Sequence, residues 1–262
     1  MKQLSLVHLL IGSLFFIFIY GASLNARANL DPQASTLQAP RHEDVFPFES
    51  YEARYKIIWR GVDAGVSIHR LSSATEHRFY FESVTEPHLA FLPFHALEST
   101  LFTWEKNEIK PYQFQYNINE GKKKRIGHIQ FDWAKNKIIS LMPSDPFELE
   151  LASHFQDKLT HLLMVRRDLQ KLKPENQVIL PITYVVATGD KTKSYTFEHV
   201  GTEMLETPMG NLKVIKLENT TQKNRVTTIW FAKEWRYFPV KIMHARGGKI
   251  ITTAEIIGLS QR

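Results

Sequence analysis

The amino-acid sequence predicts a mainly β protein, with one large curved antiparallel sheet or open barrel of about 11–12 strands and one central helix. Three observations predict this fold. Most of the chain after residue 48 alternates apolar and polar residues with a period of two. Clusters of Gly, Pro and Asn interrupt the alternation at short intervals, as turns between strands do. Only the segment 155–173 has a helical period, which predicts the helix.

The first 28 residues have the three parts of a bacterial secretion signal. Lys2 supplies a positive start, the segment 4–20 is almost purely apolar, and Ala26-Arg27-Ala28 fits the site of a signal peptidase. The apolar run is at or below the roughly 20 residues that span a bilayer, so a cleaved signal is favoured over a membrane anchor. We therefore expect cleavage near Ala28 and a periplasmic or secreted mature protein.

Composition excludes several classes of function. The chain has no Cys, which excludes disulfides, thiolate metal sites, cysteine nucleophiles and a lipid anchor at the cleavage site. Without Lys2 and Arg27, the 33 basic residues become 31 against 27 acidic ones, a net charge of +4. This excess is mild and forms no basic stripe, so we expect no nucleic-acid partner.

The remaining chain predicts a flexible lead-in at 29–48 and a single β-rich domain at 49–262. The segment 51–59 alternates as a strand with one buried face, Gly61 and Gly65 suit a turn or bulge, and 66–71 completes a hairpin. The segments 79–84 and 97–104 predict two more strands. In the next strand, Tyr112, Phe114 and Tyr116 alternate with amide side chains, which predicts one packed face and one solvent-exposed face.

A basic turn, Lys122 to Arg125, precedes a strand pair at 126–133 and 137–141. Phe155, Leu159, Leu162 and Leu169 share one helical stripe, with acid early and base late as the helix dipole favours. Pro174 ends this helix. The second half predicts strands at 178–186, 194–200, 212–219, 226–231, 238–244 and 250–257.

The order of several short segments carries a family resemblance. They are Tyr55 with Gly61 and Gly65; Phe131-Asp132-Trp133; Gln156-Asp157-Lys158-Leu159-Thr160 with Arg166; Glu203 with Thr207-Pro208-Met209-Gly210; and Ile229-Trp230-Phe231 with Pro239-Val240. This order resembles the bacterial exported family catalogued as domain of unknown function 3108. The resemblance implies an exported β-rich domain without an assigned activity, and it supplies no functional residue.

A looser likeness is to the periplasmic lipoprotein-carrier fold (LolA-like), an incomplete barrel whose concave apolar face holds acyl chains. Fold-level analogy suggests only a class of ligand, one that is apolar or lipid-like. We chose candidate contacts with such a ligand because they are aromatic and are expected to face inward or lie at a mouth. These candidates are Trp59, Phe91, Phe94, Tyr112, Phe114 and Tyr116.

The basic turn is a second candidate site. Lys122, Lys123, Lys124 and Arg125 could contact an anionic membrane surface or an acidic envelope protein, at about 1 kcal/mol for each charge. The alternative is that the charges keep a hairpin tip soluble and the sheet edge unpaired.

Enzymatic and metal signals are weak. The sequence lacks a nucleophile elbow, a zinc-protease helix motif and a phosphate-binding loop. His154 and His161 could share a helix face with Asp157, but surface or capping roles are favoured, so no metal and no cofactor are expected. Asp63 and Asp132 are acids that burial could shift toward neutrality, although turn capping is the favoured reading for both.

Three functions remain open. A carrier or binding module predicts a large apolar cavity, an envelope scaffold predicts a filled interior, and a hydrolase predicts clustered groups with shifted pKa values in a cleft. We favour the non-enzymatic binding or carrier module. The scaffold is the first alternative, and the hydrolase is the second.

Overall fold

The computed structural model describes residues 45–75, 77–88, 94–120, 123–171, 181–221 and 224–261. These residues form fifteen strands and one helix. In chain order they are β1 (Tyr51–Trp59), β2 (Val62–Thr75), β3 (Arg78–Pro87), β4 (Phe94–Glu105), β5 (Glu108–Glu120), β6 (Lys123–Asp132), β7 (Lys137–Ser140), β8 (Glu148–Glu150), β9 (Phe155–Asp157), α1 (Thr160–Gln170), β10 (Ile182–Ala187), β11 (Thr192–Thr207), β12 (Gly210–Thr221), β13 (Arg225–Ala232), β14 (Phe238–Arg246) and β15 (Lys249–Gln261).

All strands belong to one curved sheet, ordered β8-β7-β6-β5-β4-β3-β2-β1-β15-β14-β13-β12-β11-β10-β9. Neighbouring strands are antiparallel except for β9 and β10, which are parallel. The edge strands β8 and β9 do not pair with each other, so the sheet stays open. The predicted fold class is confirmed.

The structure has fifteen strands instead of the expected 11–12, and two of the additional strands, β8 and β9, have only three residues each and show no recognisable period. The predicted helix also begins later. The segment 155–157 pairs with β10 as β9, and α1 starts at Thr160. Helical periodicity cannot separate these three residues from the helix, because Phe155 is buried just as the apolar helix residues are.

Glycine shapes the first hairpin as expected. Gly61 has φ +86° in the turn, and the register between β1 and β2 shifts between Ile57 and Ile58. A Cβ on Gly65 would lie 2.1 Å from the carbonyl oxygen of Glu86. At this point β2 and β3 lie too close together for any side chain, so glycine is required there.

The sheet has two ends. We call the end with the turns 60–61, 188–191 and 247–248 the open end, and the end with the turns 106–107, 208–209 and 233–237 the helix end. The helix α1 occupies the concave face at the helix end. There the Arg167 guanidinium donates to the Asn107 carbonyl oxygen at 2.5 Å, and the Gln170 amide donates to the Arg236 carbonyl oxygen at 2.8 Å.

Aromatic rings pack around α1 to form the core. Tyr51 and Phe238 approach each other with ring centroids 5.0 Å apart, and the Tyr55 hydroxyl donates to the Pro239 carbonyl oxygen at 2.8 Å. Burial of such large side chains is the main source of stability in a chain without disulfides. The largest fully buried side chains include Tyr55, Phe81, Phe102, Phe114, Phe197, Phe231 and Phe238.

Candidate functional site

The helix begins halfway along the concave face, where Asp157 fixes it. The Asp157 carboxylate accepts a hydrogen bond from the Thr100 hydroxyl at 2.6 Å, and from the backbone N–H groups of Leu159 and Thr160 at 2.7 and 2.9 Å. These contacts join the start of α1 to the middle of β4. Between this point and the open end, α1 does not cover the sheet.

The helix α1 leaves the concave face of the open end uncovered, and we call this part of the face the cup. Its lining includes Trp59, His69, Glu98, Tyr116, Tyr195 and His244, each of which keeps part of its surface accessible. His69, His161 and His244 nevertheless lie so deep that burial lowers the pKa of each to about 4. These three side chains are thus enclosed by their neighbours on the concave face, although part of the surface of each remains accessible.

The three histidines are held by aromatic and hydroxyl partners. The His69 ring lies 4.8 Å from the Tyr55 ring, and His161 stacks on Tyr195 at 5.4 Å between ring centroids. The His244 Nδ1 and the Thr227 hydroxyl are 2.9 Å apart. Because their pKa values are low, these imidazoles are neutral near pH 7. The walls of the cup are thus aromatic and polar, with little charge at this depth.

One wall of the cup contains an ion pair beside a tyrosine. The Lys158 ammonium lies 3.0 Å from the Glu98 carboxylate and 5.6 Å from the centroid of the Tyr116 ring. The Tyr116 ring covers Gly127 on the neighbouring strand, where a Cβ would lie 2.3 Å from ring atoms. Glycine at 127 therefore leaves the space in which the Tyr116 ring lies.

Three of the six predicted aromatic contacts lie on the wall or the rim of the cup. Trp59 ends β1 opposite Thr252 of β15, and the Arg60 guanidinium lies 5.0 Å from its ring centroid. Phe94 begins β4 on the face that two-residue alternation gives to Ala96 and Glu98, and it is half-buried. Together with Tyr116, these side chains are placed where a ligand in the cup would meet them.

Two of the other three, Phe114 and Tyr112, do not line the cup. Phe114 faces inward but is fully buried, so it packs in the core and offers no surface to a ligand. Tyr112 lies at a register shift between β4 and β5, with the Arg78 guanidinium 5.6 Å from its ring centroid on the convex side. The extra residue of the bulge breaks the alternation from which we inferred its direction. Phe91 lies outside the described residues.

The basic turn lies at the open end. Lys123, Lys124 and Arg125 are exposed at the start of β6, and Lys122 lies outside the described residues. The charge of Arg125 acts on Tyr116 and opposes the rise that burial causes in the tyrosine pKa. The turn therefore adjoins the cup.

His154 and His161, which could have formed a metal site with Asp157, do not lie together. His154 is exposed and pairs with Glu108 at 2.7 Å, whereas His161 stacks on Tyr195 inside the cup. The described ranges contain no cluster of three or more His, Asp or Glu residues that could hold a metal ion. His154 instead borders a surface pocket of about 230 Å³ together with Trp133.

The two acids considered for unusual burial have structural roles. Asp63 is exposed and pairs with Lys56 at 3.3 Å. Asp132 accepts hydrogen bonds from the backbone N–H and the ammonium of Lys135, which lower the pKa of its carboxyl. The buried acid is Asp157, where burial raises the pKa from 3.8 to about 6.

Sequence reasoning missed most of the cup. His69 and His244 follow the two-residue alternation of inward side chains on β2 and β14, and this signal could have found them. No local pattern predicts Arg166, which is 3% exposed and lies 4.3 Å from the Phe48 ring centroid and 4.7 Å from that of Phe238. Its surroundings come from three distant segments.

An open antiparallel sheet curved around one helix defines a β-barrel-like class of protein. The chain belongs to the family described as "Protein of unknown function (DUF3108)", whose model matches residues 51–248. The family predicted from the order of motifs is therefore confirmed. A comparison with curated proteins finds no match.

Three solved structures are similar to this chain, and the first of them shows a similar fold. A β-barrel-like protein of domain of unknown function DUF1849 from Brucella abortus is 12% identical, with a TM-score of 0.51, 82% of this chain covered and 98% of that one. A candidate exported protein with a YmcC-like fold from Bacteroides fragilis has 8% identity, a TM-score of 0.35 and coverages of 82% and 97%. A candidate lipoprotein from Parabacteroides distasonis has 9% identity, a TM-score of 0.37 and coverages of 81% and 96%.

The helix α1 is too short and too polar to cross a membrane, and no other described segment forms a membrane-spanning helix.

Proposed function

We propose that the protein is exported to the periplasm and acts there as a non-enzymatic binding or carrier module, with an apolar or lipid-like envelope ligand held in the cup. One observation carries this proposal. The helix covers the concave face only as far as Asp157 and Thr100. His161 in its first turn, and His69 and His244 on the uncovered strands, are deep yet accessible. The N-terminal signal pattern supports export.

The lining suits a ligand with an apolar part. Trp59, Phe94 and Tyr116 offer aromatic surface, and partly accessible Ile242 and Ala254 extend it along β14 and β15. At about 0.8 kcal/mol for each buried CH₂ group, a 16-carbon chain would gain about 12 kcal/mol before the costs of association. Burial of this kind needs no sequence motif, because it is not directional.

Native mass spectrometry of the protein purified gently from a periplasmic extract tests the proposal. We expect a mass excess that dissociates as an apolar or lipid-like molecule. Two substitutions on β13 form a matched pair. Thr227→Trp adds bulk beside His244 inside the cup, whereas Val226→Trp adds the same bulk on the opposite face of the strand.

The adduct should be lost from the Thr227→Trp variant and retained by the Val226→Trp variant. An unchanged adduct on both variants would place the ligand elsewhere. An unmodified mass for the native protein, repeated after incubation with envelope lipids, would refute the carrier and leave the scaffold or the hydrolase.

We also propose that the open end contacts an anionic membrane surface. Val62 and Ile250 are 53% and 55% exposed at this end of the sheet, which also bears the basic turn that contains Lys123, Lys124 and Arg125. Exposed apolar side chains and cations at one end of a molecule favour an anionic lipid surface. Flotation with vesicles should show binding to phosphatidylglycerol-containing vesicles and not to phosphatidylcholine vesicles. Equal binding to both would refute this contact.

A further inference from the structure

Cations from three segments of the chain lie close together in the cup. Lys193 lies two residues before Tyr195 on β11, and Arg225 lies two residues before Thr227 on β13, so alternation places both on the concave face. Lys158 lies at the start of α1. Burial lowers the pKa of Lys193, and the positive charges of Lys158, Lys191 and Arg225 lower it further. These charges are close enough to repel one another.

The repulsion is only partly compensated. Lys158 pairs with Glu98 at 3.0 Å, and Asp190 pairs with Lys191 at 3.4 Å. Lys193 and Arg225 belong to none of the ion pairs that the described residues form. The Arg225 Nε is buried without a hydrogen-bond partner among the same residues. Buried donors and like charges without partners are unfavourable, and an anion between them would satisfy both.

We propose that the ligand of the cup is an anionic amphiphile, whose phosphate or carboxylate group is bound by Lys193 and Arg225 at the mouth while its apolar chain lies among the aromatic side chains below. This inference rests on the proposed binding function and adds the chemical class of the head group. Lys158 contributes positive charge from the wall of the cup, next to the start of α1. An arginine and a lysine that face one space are a common arrangement for phosphate and carboxylate groups.

Calorimetric titration of the protein with dodecyl phosphate, dodecanol and inorganic phosphate separates the contributions, with the amphiphiles kept below micelle-forming concentrations. We expect dodecyl phosphate to bind at least about tenfold more tightly than dodecanol, the factor that one charge-assisted hydrogen bond confers. This advantage should shrink at high salt. Inorganic phosphate alone should bind far more weakly than dodecyl phosphate, because it lacks the apolar chain.

The double variant Lys193→Met/Arg225→Met should bind dodecyl phosphate and dodecanol about equally, a loss of about tenfold for the anion only. The matched control is Lys213→Met/Lys233→Met, which removes two exposed charges at the helix end and should leave the preference intact. Circular dichroism verifies that each variant is folded.

Three outcomes would overturn the inference. If both amphiphiles bind equally to the native protein, the cup binds apolar chains but does not select an anionic head group, and this inference is wrong. If inorganic phosphate binds as tightly as dodecyl phosphate, the site is one for a free anion, and the amphiphile is wrong. If neither amphiphile binds, the proposed binding function fails together with this inference.

Discussion

Replacing Asp157 by Asn should stabilise the protein at neutral and alkaline pH. The Asp157 side chain is fully buried, and its charge has no cation partner in the hydrogen bonds that hold it. Asn keeps an oxygen for the N–H groups of Leu159 and Thr160. Its amide can donate to the Thr100 oxygen, whose own hydroxyl proton can go to the Gln113 carbonyl oxygen at 3.1 Å. The substitution therefore removes a buried charge without removing a hydrogen bond.

The magnitude follows from the pKa of Asp157, which burial raises from 3.8 to about 6. The folded protein binds this proton more tightly than the unfolded chain does, so the unfolding free energy falls as pH rises from about 4 to 6 and is constant above. A shift of about two units corresponds to about 3 kcal/mol. Loss of the interaction between the charge and the helix dipole offsets up to about 1 kcal/mol, which leaves a gain of about 2 kcal/mol for Asp157→Asn at pH 8.

Urea unfolding of the native protein and of Asp157→Asn, at pH 8 and pH 5, measures this gain. The linkage relation predicts that the gain in unfolding free energy from Asp157→Asn is about 1.5 kcal/mol smaller at pH 5 than at pH 8, because much of Asp157 in the native protein is protonated at pH 5. Histidine titration affects both proteins and cancels in the difference. A variant less stable than the native protein at pH 8, or a difference independent of pH, would show that Asp157 is not a costly buried charge. Asp157→Ala is the control, and it should lose about 1–2 kcal/mol because it removes the acceptor for the start of α1.

Four further predictions concern the cup, the core and export. Burial lowers the pKa values of His69, His161 and His244 from 6.5 to about 4. Between these two pH values the unfolded chain binds more protons than the folded protein, so the free energy of unfolding should fall as pH drops from about 6.5 to 4. His244→Gln should make this fall smaller in unfolding curves measured at a series of pH values. Gly127→Val should cost about 1–3 kcal/mol in urea unfolding by displacing the Tyr116 ring, and Tyr116→Ser in the same chain should recover part of that loss. Arg166→Met should change the free energy of unfolding by less than about 1 kcal/mol, because it loses the cation–π contacts but also removes the buried Nε and Nη1 atoms that lack hydrogen-bond partners. Arg166→Ala should instead cost about 2–4 kcal/mol, because it leaves a cavity. N-terminal sequencing of the exported protein should begin at Asn29; a start at Met1 would refute cleavage.

Much of the fold was predictable from the sequence because it depends on local periods. Alternation located most strands of the sheet, and the helical stripe through Leu159, Leu162 and Leu169 located α1. The edge strands β8 and β9 were missed because three residues are too few to show a period. Alternation does not predict the direction of the Tyr112 side chain, because a bulge, which depends on the neighbouring strand, adds a residue there.

The site was less predictable because tertiary contacts create it. Trp59, Phe94 and Tyr116 could be proposed as contacts from their size and alternation alone. The positions of Lys193 and Arg225 depend on the curvature of the sheet and on how much of the concave face α1 covers. Neither of these can be read from the sequence of a short segment. Strand order brings the start of α1 to Thr100 across 57 residues of sequence.

The two halves of the concave face differ in how much they stabilise the fold, and the proposed ligand site lies in the less stabilising half. At the helix end, α1 and the aromatic core exclude water, and even Arg166 is enclosed by rings. At the open end the same face bears hydroxyl, imidazole and charged groups that bury less apolar surface and stabilise the fold less. Asp157 lies at the boundary and fixes the depth at which α1 begins. A substitution that loosens this anchor, such as Thr100→Val, should therefore alter ligand binding in the cup, whereas Arg166→Met, which acts at the other end of α1, should leave that binding unchanged.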